Sequence, residues 1–209
     1  MCNEKIPNAV LNRLPAYLHY VKFLYPPDQQ TVSSGAIAKA LRLGEVQVRK
    51  DLAMVSGAGK PKIGYVKAEL VAHLEDALAV SQVANAVIVG AGHLGKALLF
   101  CENFDEYGVK MIAAFDDDPV VVASDEKIHD VSELSNFCLA NDVEIGVIAV
   151  PERFAQSVCD KMVSCGICAI WNFAPVILAV PDDVVVKNEN LASSVAVLAV
   201  TSNKKRRTK

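Results

Sequence analysis

The fold of the second half of this chain is decided by one stretch, Val87-Ile88-Val89-Gly90-Ala91-Gly92-His93-Leu94-Gly95-Lys96-Ala97. A short apolar run that leads directly into G-x-G-x-x-G is typical of the first strand, turn and helix of a dinucleotide-binding fold. Gly90 is predicted to make the tight turn, Gly92 to let the backbone approach a pyrophosphate, and Gly95 to let the helix pack closely on the strand. Because free N–H groups where a helix begins point at phosphates, the predicted cofactor contacts include three further loop residues, Ala91, His93 and Leu94.

A second predicted strand supports this interpretation. It covers residues 109–115 and ends at Asp116, about twenty residues beyond the glycines, where an acidic residue accepts a ribose hydroxyl. A carboxylate at that point would repel a 2′-phosphate, which favours NAD(H) over NADP(H). Two alternatives stay open: a glycine turn that binds no nucleotide, and an acidic turn formed by Asp116, Asp117 and Asp118 before Pro119.

The alternation of strands and helices continues to the end of the chain. Helices are predicted at residues 131–141 and 154–165, strands at residues 144–151, 168–175 and 184–186, and a mostly apolar helix at residues 190–201. In an open parallel sheet the carboxyl ends of the strands converge on the ligand crevice. Five residues that follow two of these strands are therefore predicted to lie beside a bound nicotinamide, with ordinary loops as the alternative: Val150, Pro151, Asn172, Phe173 and Pro175.

Composition favours well-filled cores and no membrane span. Of the 209 residues 52% are hydrophobic, the mean hydropathy is +0.28 and the formal net charge is -3. No apolar run approaches the roughly eighteen residues of a membrane span, and no signal-peptide pattern is present, so a cytoplasmic location is expected. The six cysteines are expected to be reduced and mostly buried. Cys165 and Cys168 form a C-x-x-C, for which a redox pair or half a zinc site is the alternative to core packing; no metal site is predicted.

A helix-turn-helix is predicted in the first third of the chain. Residues 36–41 are predicted as a short helix with a serine cap, residues 42–44 as a turn, and a second helix is predicted to start near Glu45. This second helix would present Gln47, Arg49 and Lys50 to a major groove, where glutamine pairs with adenine and the cations pair with guanine or phosphate. A small helical subdomain with a solvated polar face fits the same spacing. The apolar residues of the helix are Val46, Val48, Leu52 and Val55.

The flanking segments complete a winged-helix pattern. A helix interrupted at Pro15 is predicted at residues 8–24, a β-hairpin wing at residues 57–66 with Lys60 and Lys62 at its tip, and a linking helix at residues 69–80. Lysines on a wing would contact backbone phosphates. The predicted fold class is α/β in three parts: a winged-helix DNA-binding domain at residues 1–80, a Rossmann-like dinucleotide-binding domain at residues 81–186, and a C-terminal helix with a basic tail at residues 187–209.

Several short stretches match one protein family in the same order: residues 13–18, 32–34, 47–52, 64–65, 90–95, 115–116, 118–119, 150–151 and 172–175. Together they resemble the Rex family of redox-sensing bacterial transcriptional repressors. The resemblance implies a homodimer whose C-terminal helix is swapped into the partner, and a repressor that NADH releases from operator DNA whereas NAD+ permits binding. It also implies further DNA contacts at Arg13, Tyr17, Ser33, Ser34 and Tyr65.

Three positions depart from the family's pattern. Family members carry an aspartate at the start of the swapped helix, which changes partners between a tyrosine of the Rossmann-like domain and an arginine of the first helix. Alignment of the flanking motifs places Asn190, Cys101 and His19 at these positions. Asn190 cannot form an ion pair, and a thiol is a weak hydrogen-bond partner. The comparison with the family therefore implies weakened or altered redox discrimination.

Two other functions stay open from the sequence. A dehydrogenase needs a proton donor near the nicotinamide, whereas the crevice segments offer only Asn172 and apolar groups, so no catalytic residue is predicted and an enzyme is not expected. A nucleotide-binding interaction module that does not bind DNA is the other alternative, because fold alone does not separate these functions.

Overall fold

The computed structural model of the chain describes residues 6–207 and divides into two units. The first unit comprises the chain up to Gln82 together with Glu106–Gly108, and the second comprises Val83–Asp105 and the chain from Val109 onward. The side chains of the cationic run at residues 204–209 lie outside the part of the chain that the structure describes. Within the described residues, no helix has the length and apolar character needed to cross a membrane.

The first unit is mainly helical. Its helices are α1 (Asn8–Leu11), α2 (Leu14–His19), α3 (Ser34–Leu41), α4 (Glu45–Ser56) and α5 (Lys67–Ala77), and a π-helical turn at Tyr20–Leu24 extends α2. The sequence predicts a break at Pro15, and the break lies just before this residue, between α1 and α2. Proline fits the first turn of a helix, because the N–H groups there have no acceptor within the helix. Two short strands, β1 (Thr31–Val32) and β2 (Tyr65–Val66), pair antiparallel.

The helix-turn-helix prediction is confirmed in its main features. The Ser33 hydroxyl accepts a hydrogen bond from the N–H of Ala36 at 3.0 Å and caps α3, which satisfies one of the free N–H groups of the first turn. The left-handed residue of the turn is Arg42, with a φ of 54°, rather than the glycine at position 44. The core of this unit is formed by apolar side chains from all five helices and both strands, including Leu14, Leu18, Ile37, Leu52, Leu70 and Leu74.

The second unit alternates strands and helices. Its strands are β3 (Ala84–Val89), β4 (Val109–Asp116), β5 (Ile128–Asp130), β6 (Val143–Ile148), β7 (Ala169–Asn172) and β8 (Val185–Asn188). Its helices are α6 (His93–Leu99), α7 (Pro119–Val122), α8 (Leu134–Ala140), α9 (Glu152–Ser164) and α10 (Leu191–Arg207), with 3-10 turns at Glu102–Tyr107 and Val131–Glu133. The short strand β5 is an element that the sequence did not predict.

The strands form one parallel sheet in the order β5-β4-β3-β6-β7-β8. Successive residues of β3 point to opposite faces: Val87 and Val89 pack in the core formed with α8 and α9, whereas Ile88 packs in the core on the α6 side. The chain crosses from one half of the sheet to the other between β3 and β6, and ligands bind at the carboxyl ends of strands at such a switch point.

Candidate functional site

A cavity of about 530 Å³ lies at the carboxyl ends of β3, β4 and β6. This volume is within the range of pockets that take small molecules and cofactors. Its apolar wall is formed by the side chains of Val131, Val150, Pro151, Phe154 and Val158, and its polar groups belong to Asp116, Asp117, Ser157 and Lys161. An apolar slot with a few polar groups at one side suits a purine ring joined to a ribose.

The glycine turn that borders this cavity requires glycine at two positions. Gly90 has a φ of +98°, and a Cβ there would lie 2.5 Å from the carbonyl oxygen of Ala149. A Cβ on Gly95 would overlap the carbonyl oxygen of Gly90. The turn is therefore as tight as predicted, and α6 packs directly on it.

Asp116 fixes the geometry of the same turn. Its carboxylate accepts a hydrogen bond from the N–H of Ala91 at 2.7 Å and another from the N–H of Asp118 at 3.0 Å. Each carboxylate oxygen keeps a further acceptor site, so the side chain holds the loop and remains able to accept a ribose hydroxyl. Asp117 also borders the cavity, which gives this side of it two acidic groups.

The structure brings some of the predicted cofactor residues together and separates others. Five of them line the cavity: Gly90, Gly92, Asp116, Val150 and Pro151. His93 and Leu94 are exposed at the start of α6, Ala91 and Gly95 are buried in the turn, and Pro175 is exposed.

Asn172 has a structural task that the sequence did not indicate. Its amide nitrogen donates to the carbonyl oxygens of Ala174 and Val176 and to Asn188, and its oxygen accepts from the N–H of Ala174. The side chain is fully buried. These bonds connect Asn172, the last residue of β7, to the loop that follows it and to Asn188 of β8, so the amide shapes the chain after β7. Phe173 packs against Trp171 beside it.

Sequence reasoning missed the residues that α9 contributes to the cavity. Phe154, Ser157 and Lys161 are spaced at three and four residues, so they share one face of the helix. The ammonium of Lys161 donates to the carbonyl oxygen of Val131 at 2.5 Å and connects α9 to the segment after β5. The spacing was visible in the sequence, but only the topology shows which face of α9 meets the crevice.

The second helix of the helix-turn-helix presents the predicted polar surface. Gln47, Arg49 and Lys50 are exposed on α4, whereas Val48, Asp51 and Leu52 are buried. Val46, one of the apolar residues of this helix, is 55% exposed in the first turn of α4. Apolar side chains at such positions contact thymine methyl groups in major grooves.

The wing is a shorter hairpin than predicted. Lys60 and Gly64 exchange two backbone hydrogen bonds of 2.8 Å, and Lys60 and Lys62 are exposed on it. The strand that follows pairs with β1 instead of extending the hairpin. At the start of α3, Ser33 is exposed and Ser34 is half-buried.

Two tyrosines predicted as DNA contacts are core residues instead. Tyr17 is fully buried and its hydroxyl donates to Asp51 Oδ2 at 2.7 Å. Tyr65 is buried as well, and within the described residues its hydroxyl has no hydrogen-bond partner. Burial assigns both rings to packing, since the aromatic faces cover apolar neighbours in the core of the first unit.

An ion pair joins α2 to α4 behind the exposed polar surface. Arg13 Nε and Nη2 donate to the two carboxylate oxygens of Asp51 at 2.7 and 2.9 Å, in a bidentate arrangement. Burial opposes the charge of Asp51, but the hydrogen bonds from Arg13 and Tyr17 outweigh it and hold the pKa of this carboxyl below its ordinary value. Burial and the bond to Asp51 raise the pKa of Tyr17 to about 12.

The three predicted switch positions have ordinary local roles. His19 is exposed at the end of α2 and its ring lies 5.4 Å from that of Phe23. Asn190 accepts a hydrogen bond from the N–H of Ser193 at 2.8 Å, which caps α10. Cys101 is a half-buried free thiol.

The other cysteines that the structure describes do not line the cavity. Cys165 donates to Ser135 at 3.3 Å, and Cys168 is exposed. Burial, together with the nearby thiol of Cys165, raises the pKa of Cys138 to about 11. Among the described residues there is no group of three or more potential metal ligands.

Two protein families match parts of this chain. The family described as putative DNA-binding protein N-terminus matches residues 5–53, and the family described as CoA binding domain matches residues 81–176. The first match includes α3 and most of α4, and the second includes the strands β3 to β7, of which β3, β4 and β6 end at the cavity.

Full-length similarities extend over both units. The redox-sensing transcriptional repressor Rex of Clostridium botulinum (strain Alaska E43 / Type E3) is 38% identical over 199 residues, covering 94% of this chain and 95% of that protein. The crystal structure of RSP in complex with beta-NAD+ and operator DNA has a TM-score of 0.87 at 32% identity, covering 97% of this chain and 95% of that one. The complex of RSP with beta-NADH has a TM-score of 0.86 at 31% identity, covering 98% and 97%.

Proposed function

Because the chain belongs to the Rex family of redox-sensing transcriptional repressors, we propose that it binds operator DNA with its first unit and NAD(H) with its second. The observation that carries this proposal is that one chain holds both parts: an exposed helix with Gln47, Arg49 and Lys50, and a crevice behind a G-x-G-x-x-G turn. A relative of the same fold was solved with beta-NAD+ and operator DNA. We place its action in the cytoplasm, with the DNA, and assign it no catalytic step.

The adenosine half of NAD(H) fits the cavity. Val150, Val158 and Phe154 supply apolar surface for the adenine ring, and Asp116 is placed for the ribose hydroxyls. The pyrophosphate would lie over Gly92, where a Cβ would meet nothing within 4 Å and the space is open. Two carboxylates at the ribose end favour NAD(H) over NADP(H).

We propose a homodimer in which α10 packs against the partner. The exposed apolar residues of α10 are Leu191, Val195, Val197, Leu198 and Val200, and such a surface is stable only when it is covered. The second unit also carries an apolar recess on its sheet, lined by side chains that include Met111, Ile145 and Trp171.

We expect sedimentation at micromolar concentration to give twice the 22.4 kDa chain mass; a Leu198→Asp variant should shift toward the monomer. A wild-type monomer would contradict the dimer.

Cations of the first unit should divide into two classes by their effect on DNA binding. Arg49→Ala is expected to weaken operator binding and to cost about 1–3 kcal/mol of discrimination at one base pair. Lys60→Ala or Lys62→Ala should weaken binding to all DNA sequences alike, because wing lysines contact phosphates. Each should also reduce the slope of log affinity against log salt concentration by about one unit. Fluorescence anisotropy with operator and scrambled duplexes over a salt series measures both effects. Equal affinity of the wild type for the operator and the scrambled duplex would favour the alternative function, a nucleotide-binding interaction module that does not bind DNA.

We propose that redox discrimination is weakened in this chain. A ligand shifts a two-state equilibrium only through the difference of its affinities for the two states. Asn190 carries no charge, and Cys101 and His19 stand where the family has the tyrosine and the arginine. We therefore expect this chain to lack the aspartate-centred exchange of partners that the family implies. NADH should therefore change operator affinity less than it does in relatives that carry the aspartate, tyrosine and arginine.

The test is to measure operator affinity with NAD+, with NADH and with neither, in the wild type and in the variant Asn190→Asp, Cys101→Tyr, His19→Arg. The triple variant should respond more strongly to NADH, and Asn190→Asp keeps the cap because an aspartate accepts the same N–H. Wild-type protein that NADH releases as sharply as its relatives would contradict the weakened switch. Absence of operator binding in all three conditions would contradict the proposed function itself.

A further inference from the structure

The side chain of Gln47 is not free on the surface of α4. Its amide lies 3.3 Å from both Nε and Nη1 of Arg13. A guanidinium only donates hydrogen bonds, so the orientation that satisfies both groups turns the amide oxygen of Gln47 toward Arg13. Nε is already bonded to Asp51 at 2.7 Å; Nη1 therefore supplies the donor for Gln47.

The position of the Arg13 guanidinium is fixed by its contacts to Asp51 and does not depend on Gln47. Its fork bonds both oxygens of Asp51, whose side chain is 5% exposed, and Asp51 is also bonded by the fully buried Tyr17. A bidentate pair with a third hydrogen bond at the same carboxylate leaves the guanidinium little freedom. The chain of contacts runs from the core, through Tyr17 and Asp51, to Arg13 and Gln47.

This arrangement changes what Gln47 offers to DNA. A free glutamine recognises adenine by donating to N7 and accepting from the N6 amino group. With its oxygen turned toward Arg13, Gln47 directs the two N–H groups of its amide away from Arg13, where they can meet a base. Guanine offers two acceptors, N7 and O6, in the major groove, whereas adenine offers one acceptor and one donor.

We propose that Arg13 is a positioning residue that turns the N–H groups of the Gln47 amide outward, so that Gln47 selects guanine over adenine. The sequence alone predicts the opposite, because the usual pairing of glutamine is with adenine. The inference rests on the proposed function, since it requires that α4 lies in the major groove of operator DNA.

The test starts with selection of binding sites from a randomised duplex pool by the full-length wild-type protein. The base pair that Gln47 contacts is the one at which the Gln47→Met variant no longer distinguishes one base from another. Gln47 is exposed, so this variant should fold normally. At that pair, wild type should bind guanine about tenfold more tightly than adenine. Replacing the guanine by 7-deazaguanine should remove part of this preference, because N7 is lost.

The decisive variants alter Arg13. Arg13→Met frees the amide oxygen, and the ratio of guanine to adenine affinity should fall to about twofold or invert. Arg13→Lys keeps a cation beside Asp51 but has no second nitrogen to reach Gln47, so it should change the ratio in the same direction if the methionine variant does not fold. The matched control is Lys22→Met, which removes the cation of another ion pair in the same unit, that of Lys22 with Glu75; its ratio of guanine to adenine affinity should equal that of the wild type.

The outcomes separate this inference from the proposed function. A purely structural role of Arg13 would lower affinity for all duplexes and leave the ratio unchanged, which would overturn the inference. Wild-type preference for adenine at the position read by Gln47 would overturn it too, while the proposed repressor function stands. If no sequence is selected at all, the proposed function fails and the inference falls with it.

Discussion

A Gly92→Val variant is expected to bind NADH about 100-fold more weakly than the wild type, or worse, while it keeps its folded stability. The glycine has an ordinary φ of -67°, and an added Cβ meets nothing within 4 Å, so valine is compatible with the fold. The same Cβ would stand where the pyrophosphate approaches the loop. Hydrogen bonds to charged groups contribute about 1.5–3 kcal/mol each, so the loss of two corresponds to about 100-fold or more. Isothermal titration with NADH measures the affinity.

The control for this variant is a glycine in the same kind of position. Gly44 precedes α4 as Gly92 precedes α6, and its φ is -71°, so Gly44→Val makes the same change in the first unit and should leave NADH affinity as it is. Gly95→Ala should behave differently from both, because its Cβ overlaps the carbonyl oxygen of Gly90 and the second unit loses stability. Unaltered NADH affinity in Gly92→Val would remove the glycine loop from the site.

The sequence predicted those parts of the fold that depend on strong local patterns. The buried run of β3 and the glycines after it predicted a strand, a turn and a helix, and the spacing to Asp116 predicted the end of β4. The strands β1 and β5 were missed because two or three residues carry no measurable periodicity. The apolar residues of α4 do not share one face: Val46 lies two positions before buried Val48, so it points away from the core and is exposed.

The candidate sites depended more on tertiary contacts than on local patterns. Asn172 ends β7 at the expected edge of the sheet, yet its amide is bonded to the loop that follows and to Asn188 of β8. Lys161 reaches the cavity only because α9 packs beside the segment after β5. Asp51 belongs to a run of polar residues on a helix, and nothing in the spacing separates a buried ion pair from a solvated carboxylate.

An Asp51→Ala variant is expected to destabilise the first unit by about 3–5 kcal/mol, the usual cost of removing one partner of a buried ion pair. The change leaves the hydroxyl of buried Tyr17 without its acceptor and Arg13 without its partner. The chain's single tryptophan, Trp171, lies in the second unit. The helices of both units contribute to far-ultraviolet circular dichroism. In urea unfolding, the part of the circular dichroism transition that comes from the first unit should therefore shift to lower urea, whereas the transition followed by tryptophan fluorescence should shift less.

The matched control is the surface pair of Lys22 and Glu75 in the same unit, with an Nζ to Oε1 distance of 2.6 Å and side chains about one third exposed. Glu75→Ala should cost less than about 1 kcal/mol, because solvent already screens this pair.

The lowered pKa of Asp51 also determines how the stability of the first unit depends on pH. The stability that its carboxylate contributes is fully present above about pH 4 and is lost as the pH falls through the folded pKa. The difference between wild type and Asp51→Ala should therefore narrow in acid, and a destabilisation no larger than that of Glu75→Ala at neutral pH would show that the ion pair does not hold α2 to α4.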